Sequence, residues 1–300
     1  MDAPEPARTG PDLRRRAITL YDRYTHEGLD RRAFMAELTR MAGSGAGAAA
    51  LLAAIQADPA AAAITSPADS RLRAGREALT LPNGRTYAAY VAAPRAEARR
   101  AAVLVVHENR GLNAHIEDVA RRAALAGYHA VAPDFLSPAG GTPADADAAR
   151  AAIGRLDLAM ATADGAALLA SLRGRPGGNG RVGAVGFCWG GAMVNRLAVA
   201  AGAGLDAGVV FYGPAPAGTE AARVDAPLLI HLAERDARVN ATALPWVVAL
   251  RAAGKPVRAI NHHGVEHAFH NDTSSERYDE EAARRAWGET IRFFGRHLAA

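Results

Sequence analysis

The chain has 300 residues, of which 50% are hydrophobic and 22% charged, and its formal net charge is +4 at pH 7. This length suits one large α/β domain with an appendage, and the apolar half of the composition can fill a sizeable core. The arginines are scattered instead of clustered with aromatic residues, which argues against a nucleic-acid groove. The sequence has no uninterrupted apolar run of about 18 residues, the length that a membrane-spanning helix needs.

Residues 1–68 differ from the rest and are predicted to form a helical extension. Apolar residues recur at helical spacing through positions 13–41, and an alanine-rich stretch follows over 45–63. Arg31-Arg32 ahead of a small-residue apolar stretch is also similar to a twin-arginine export signal. Two interpretations therefore stay open: a retained extension of a cytoplasmic protein, or a signal that directs the protein to the periplasm.

From residue 69 to residue 300 the sequence alternates between strand and helix patterns. Residues 76–94 read as a hairpin around Asn83-Gly84, a strong turn signal. Helical patterns follow near 115–127, 144–173, 191–201, 241–253 and 279–298, and strand patterns near 100–108, 129–137, 181–187, 207–213, 226–234 and 256–262. This alternation predicts a doubly wound α/β domain, with a mostly parallel sheet and helices on both faces.

The stretch GAVGFCWGG at 183–191 holds Cys188, the single cysteine of the chain, which excludes an intramolecular disulfide framework. Gly186-Phe187-Cys188-Trp189-Gly190 has the form G-x-C-x-G, a cysteine version of the nucleophile turn between a strand and a helix. The helix after it would present its N-terminal amides to the sulfur and favour the thiolate. The amide of Trp189 would face a developing oxyanion. A buried, inert thiol is the alternative.

A thiol nucleophile needs a base, and the base needs an acceptor that orients it. Asp236 follows a predicted buried strand, at the strand end where the sites of open sheets gather. Four histidines follow in VRAINHHGVEHAFHND, and His267, two residues before Phe269, is the predicted base. We expect the other three, His262, His263 and His270, on the surface or behind the site, and His231 in the core.

Glu108 directly follows another predicted strand and would lie at the same sheet edge as Cys188, although spacing alone favours a solvated loop residue. Taken together, residues 76–298 resemble the dienelactone hydrolases, the carboxymethylenebutenolidase family of the α/β-hydrolase fold. The motifs that carry this resemblance are GFCWGG, HENRGL with GYHAVAPDFL, ERDARV and GVEHAFHND.

The resemblance implies a Cys188–Asp236–His267 triad that hydrolyses a small ester or lactone through a thioester. It further implies that Glu108 accepts the thiol proton, that the amide of Asn109 joins that of Trp189 in the oxyanion hole, and that no cofactor or metal is needed. The arginine that follows the catalytic histidine in well-studied members is absent here. The residual candidates for substrate binding are Arg110, Arg155 and Phe269.

Other functions remain open from the sequence. A general carboxylesterase for other small esters is the main alternative, and a redox or non-catalytic thiol protein on the same fold is another. The expected partner is a small-molecule substrate, with neither nucleic acid nor stable membrane insertion. A homodimer is an open alternative to the monomer.

Overall fold

The computed structural model describes residues 11–55, 64–274 and 276–299, so positions 1–10 and 56–63 of the predicted extension lie outside the described residues. The described part of the extension contains three α-helices: α1 (Pro11–His26), α2 (Arg31–Ala42) and α3 (Gly45–Ile55). Ile18, Tyr21, Tyr24, Phe34 and Leu38 form the centre of a hydrophobic cluster that belongs to these helices. The helical spacing read from the sequence therefore matches the buried face.

Within the described residues, no single helix is both long and apolar enough to cross a membrane. Helices α2 and α3 reach that length and composition only as a pair, and the pair is bent by 107°.

Eight strands of the described chain form one sheet. They are β1 (Leu72–Thr80), β2 (Thr86–Pro94), β3 (Arg100–Val106), β4 (His129–Pro133), β5 (Gly178–Phe187), β6 (Ala207–Phe211), β7 (Leu228–Ala233) and β8 (Val257–His262). Their order is β1-β2-β4-β3-β5-β6-β7-β8. Strand β2 runs antiparallel to both of its neighbours, while the pairs from β4 to β8 are parallel. The carboxyl ends of the parallel strands therefore lie along one edge of the sheet.

Six further α-helices of the described chain accompany the sheet. They are α4 (Ala114–Leu125), α5 (Ala146–Gly154), α6 (Leu158–Arg173), α7 (Trp189–Ala200), α8 (Ala237–Ala252) and α9 (Glu280–His297). Side chains of β3 alternate between two cores: Leu104 packs in a cluster with α6, α7 and α8, and Val105 packs in one with α4 and α9. Each face of the sheet is thus covered by helices. The predicted α/β-hydrolase fold is confirmed.

The single helix expected over 144–173 is two helices, α5 and α6. The break has a local cause, because the side chain of Asp157 accepts hydrogen bonds from the amides of Ala159 and Met160 and so caps a new helix. The prediction of one helix was wrong because this capping residue lies inside an otherwise continuous alanine-rich pattern.

Candidate active site

The turn between β5 and α7 has the backbone geometry of a strained nucleophile turn. Cys188 has φ 55° and ψ −112°, a conformation that side chains other than glycine rarely adopt. A Cβ atom on Gly186 would lie 2.1 Å from the carbonyl oxygen of Gly190, and a Cβ on Gly190 would lie 2.3 Å from that of Val106. Both glycines are therefore required by close backbone approach, as the motif predicts.

Cys188 lies at the N-terminus of α7, where it is 5% exposed. Its amide donates to the carbonyl of Phe211 at 3.0 Å, which anchors the turn to the neighbouring strand β6. Trp189 is the first residue of α7, and its ring stacks on the ring of His107 with centroids 5.3 Å apart. The indole is therefore a packing group against His107. The free amides of the first turn of α7 lie at the helix N-terminus, the end that carries Cys188.

Asp236 and His267 form a buried pair. Asp236 follows β7 and caps α8, because its Oδ1 accepts from the amide of Val239 at 3.1 Å. Its Oδ2 lies 2.5 Å from Nδ1 of His267. This contact fixes the orientation of the imidazole and leaves Nε2 on the opposite side of the ring from the carboxylate.

Charge and hydrogen bonding hold this pair in its ionised form. Burial alone would lower the pKa of His267, but the Asp236 carboxylate and the Cys188 sulfur, by charge and by hydrogen bonding, raise it to about 10. Burial would likewise raise the pKa of Asp236, but the charge of His267 and the hydrogen bonds that the carboxylate accepts keep it below its ordinary value. The pair is therefore an imidazolium–carboxylate ion pair near neutral pH, and the imidazolium lies close to the Cys188 sulfur.

Glu108 follows β3 and is 8% exposed. Its Oε2 accepts from Nδ2 of Asn271 at 2.7 Å, and its Oε1 accepts from the hydroxyl of Tyr212 at 3.3 Å. Burial and the nearby Glu108 carboxylate raise the pKa of Tyr212 well above its ordinary value, so this phenol stays a proton donor. Asn271 is held in turn by Thr273, whose amide and hydroxyl both donate to Oδ1. Glu108 is thus a fixed, buried carboxylate and not a solvated loop residue.

Five of the predicted site residues line one small cavity, which we refer to as the active-site cavity. It has a volume of about 20 Å³, which is room for roughly one water molecule. It is lined by Tyr21, Thr25, Glu108, Asn109, Arg110, Cys188, His267, Ala268 and Arg277. A larger cavity of about 860 Å³ lies at the opposite, amino edge of the sheet and contains no predicted site residue.

Two predicted substrate contacts lie away from the active-site cavity. Arg155 is exposed at the C-terminus of α5 and does not line it. Phe269 is fully buried, with its ring 5.5 Å from that of Tyr212 and 4.8 Å from that of His262. Phe269 is therefore a packing residue behind the site, whereas Arg110 lines the cavity as predicted.

The remaining histidines divide by burial. His231 is fully buried in β7, where its Nδ1 lies 3.0 Å from Nε2 of His262. His262 and His270 are each 1% exposed, so neither is a surface residue. His263 is exposed and lies 3.2 Å from Oε1 of Glu234.

Sequence reasoning did not identify Tyr21, Tyr212, Asn271 or Arg277 as site residues. Tyr212 directly follows β6 at the carboxyl edge, with φ 38°, so its position after a strand was an available signal. Asn271 lies within the GVEHAFHND motif, so its position was also an available signal. Tyr21 and Arg277 reach the site through helix and loop packing that no motif specifies.

Comparison with known proteins is consistent with this arrangement. Residues 87–298 match the model of the dienelactone hydrolase family. A Methylorubrum extorquens protein, provisionally named a carboxymethylenebutenolidase, is 30% identical over 250 residues, which cover 78% of this chain and 85% of that protein. An Escherichia coli protein, provisionally named a hydrolase fragment, is 67% identical over 49 residues, covering 16% of this chain and 42% of that protein. A provisionally named dienelactone hydrolase structure from Klebsiella pneumoniae matches with a TM-score of 0.68 and 28% identity, covering 75% of this chain and 98% of that one.

Proposed function

Because this chain belongs to the dienelactone hydrolase family and is a hydrolase of esters or lactones, we propose that it cleaves a small ester or lactone through a thioester on Cys188. The observation that carries the proposal is the convergence of three distant groups at one sheet edge. Cys188 sits on a strained turn, His267 faces the same cavity, and Asp236 orients His267 at 2.5 Å. This is the relation of nucleophile, base and orienting acceptor that covalent acyl transfer needs.

Acylation begins when the thiol proton of Cys188 passes to Glu108, whose buried carboxylate lines the same cavity. The thiolate attacks the carbonyl carbon, and the carbonyl oxygen becomes an oxyanion. The amides of Trp189 and Asn109 are the proposed donors to that oxyanion, and each such donor contributes about 3 kcal/mol. The intermediate collapses to a thioester, and the leaving alkoxide takes the proton from Glu108.

Deacylation returns the thiol. Formation of the thioester removes the charge of the thiolate, which is one of the causes that raise the pKa of His267, so the imidazolium can release its proton to solvent and become the base. The imidazole then takes a proton from a water molecule, the hydroxide attacks the thioester, and the proton passes to the sulfur as the acid leaves. Asp236 keeps the ring in place and stabilises the transient imidazolium.

The substrate end of the site is basic. The guanidinium of Arg110, in the active-site cavity, is the proposed partner for a carboxylate on the substrate, with the buried Arg277 close by. Lactones with and without a free carboxylate test this assignment. A preference for the charged lactone that Arg110→Gln abolishes supports a dienelactone-type substrate, while equal rates on both support a general carboxylesterase.

The direct test of the nucleophile is hydrolysis of p-nitrophenyl acetate by Cys188→Ala and Cys188→Ser. Both changes keep a small side chain at the turn, so folding can be checked separately by circular dichroism. We expect Cys188→Ala to lose about 10³-fold or more in kcat. Full activity in Cys188→Ala would contradict the thioester mechanism.

A further inference from the structure

The roof of the active-site cavity comes from the N-terminal extension, which lies outside the family match at 87–298. Tyr21 and Thr25 are one helical turn apart on α1, so they share a face. Both line the cavity that contains Cys188 and His267. A helix that no catalytic motif includes thus forms part of the wall of the space in which the carbonyl group must sit.

Tyr21 is held over the site by two arginines. Its hydroxyl oxygen accepts a hydrogen bond from Nη2 of Arg110, the proposed carboxylate partner. The guanidinium of Arg277 lies over the ring, 5.1 Å from its centroid. The side chain is 2% exposed, so the ring is fully enclosed between α1 and the catalytic domain.

The extension is anchored on both sides of the cavity. On one side, the hydroxyl of Ser274 donates to the carbonyl of Ile55 at 2.6 Å, and Arg14 pairs with Glu276. On the other side, Nη1 of Arg150 on α5 donates to the carbonyl of Tyr24 at 2.9 Å. Because these contacts flank the site, α1 is a built part of the cavity wall.

The size of the enclosed space sets a limit on what can bind. The space beside Cys188 is narrow, about 20 Å³, and Tyr21 and Thr25 line it, so an acyl chain that extends past the reacting group must meet the Tyr21 side chain. We infer that Tyr21 is a specificity-determining residue, which closes the cavity above Cys188 and restricts the substrate to esters or lactones with a small acyl group. This inference rests on the proposed hydrolase function and adds a size limit to it.

The test compares Tyr21→Ala with Tyr24→Ala. Tyr24 is equally buried in the cluster of the extension but does not line the active-site cavity, so it controls for loss of packing in α1. The first readout is the ratio of kcat/KM for p-nitrophenyl octanoate to that for the acetate. We expect Tyr21→Ala to raise this ratio about tenfold or more, and Tyr24→Ala to leave it unchanged.

The second readout does not require hydrolysis. Cys188 is the single cysteine of the chain, so the rate at which it reacts with an aromatic disulfide that releases a coloured thiolate reports its accessibility. We expect this rate to rise about tenfold in Tyr21→Ala and to stay near wild type in Tyr24→Ala. Thr25→Ala is a smaller change on the same face of α1. It should raise the octanoate-to-acetate ratio and the thiol reactivity as well, but by less than Tyr21→Ala.

The outcomes separate the two proposals. Unchanged ratios and unchanged thiol reactivity in Tyr21→Ala, or equal changes in Tyr24→Ala, overturn the role of Tyr21. If no variant hydrolyses esters through Cys188, the proposed mechanism fails, and thiol reactivity alone still decides whether Tyr21 closes the cavity.

Discussion

Nδ1 of His267 lies 2.5 Å from Oδ2 of Asp236, although 31 positions separate the two residues in the chain. Strand β7 delivers the carboxylate and the loop after β8 delivers the imidazole, and the parallel pairing of these strands brings their carboxyl ends to the same edge. The pair is buried, so its interaction is weakly screened by salt. A single substitution at Asp236 can therefore test how this contact affects the imidazole of His267.

Asp236→Asn removes the charge while keeping the shape. The pKa of His267 should fall, because the Asp236 carboxylate is one of the main causes that raise it. We expect kcat/KM on an activated ester to drop about 10³-fold or more, since the neutral amide can also select the wrong tautomer. Histidine proton NMR and the pH profile of kcat measure the two effects.

Glu234→Gln is the matched control for that change. Glu234 is a carboxylate in the same loop region, but it is exposed and accepts from the amide of Gly264 at 2.7 Å. It should retain near wild-type activity. Comparable losses in the two variants would mean that the activity depends on loop folding and not on the His267 contact.

Gly186→Ala tests the steric account of the nucleophile turn. The new Cβ would lie 2.1 Å from the carbonyl oxygen of Gly190, so the backbone must shift. We expect the free energy of unfolding to fall by about 3 kcal/mol or more. Urea unfolding followed by circular dichroism measures it. Gly75→Ala, on β1 where a Cβ meets open space, should change the stability little; a similar loss there would undercut the explanation.

Asn271→Ala tests how Glu108 is positioned. The variant removes the donor that lies 2.7 Å from Oε2 of Glu108 and leaves a buried carboxylate with fewer partners. We expect kcat to fall about tenfold with little change in KM, because the carboxylate is no longer held in place. Asn195→Ala removes another buried amide, one that accepts from Nε1 of Trp246 at 3.2 Å away from the cavity. It should lower stability while kcat stays near wild type, and an equal loss of kcat in both variants would count against a role for Asn271.

Buried neutral histidines predict acid sensitivity. Burial is the main cause that lowers the pKa of His262 from 6.5 to about 4, and it lowers the pKa of His231 and His270 well below the ordinary value. As the pH falls, these histidines become protonated in the unfolded chain before they do so in the folded protein, so acid favours unfolding. The stability contributed by the buried neutral histidines is therefore present above pH 6.5 and is lost as the pH falls toward 4. Urea midpoints at a series of pH values across this window measure the loss.

In His262→Gln the new side-chain amide can still reach His231, but it does not titrate. This variant should therefore lose less stability between neutral and acidic pH than the wild type. His263→Gln changes the exposed neighbour and should keep the wild-type pH dependence. If both variants follow the wild-type curve, the buried imidazoles are not the source of the acid sensitivity.

Much of the site could be predicted because it follows from strand ends. Cys188 comes directly after β5, and Glu108 and Asp236 follow β3 and β7 within three residues. Parallel strands bring such positions together at one edge of the sheet. The glycines at 186 and 190 are visible in the sequence because the close backbone contacts of the turn leave no room for a Cβ there. The fold was predictable for the same reason, since its pattern of strands and helices is local.

The missed residues depend on tertiary packing. Tyr21 reaches the cavity because the extension docks through contacts such as Ser274 with Ile55, and no local pattern specifies that docking. Asn271 reaches Glu108 only because of the path of the loop after β8, which the sequence pattern does not specify. Arg155 lies outside the active-site cavity, because α5 ends at Gly154 and leaves this arginine exposed at the helix C-cap.

The central claim is that Cys188 carries the acyl group, and mass spectrometry of an acyl-enzyme tests it most directly. In His267→Gln, water activation is removed, so brief exposure to p-nitrophenyl acetate should leave one acetyl group on the protein. Peptide mapping should place it on Cys188, and hydroxylamine should release it. The absence of any adduct while ester is consumed, or an acetyl group on a different residue, would contradict the account.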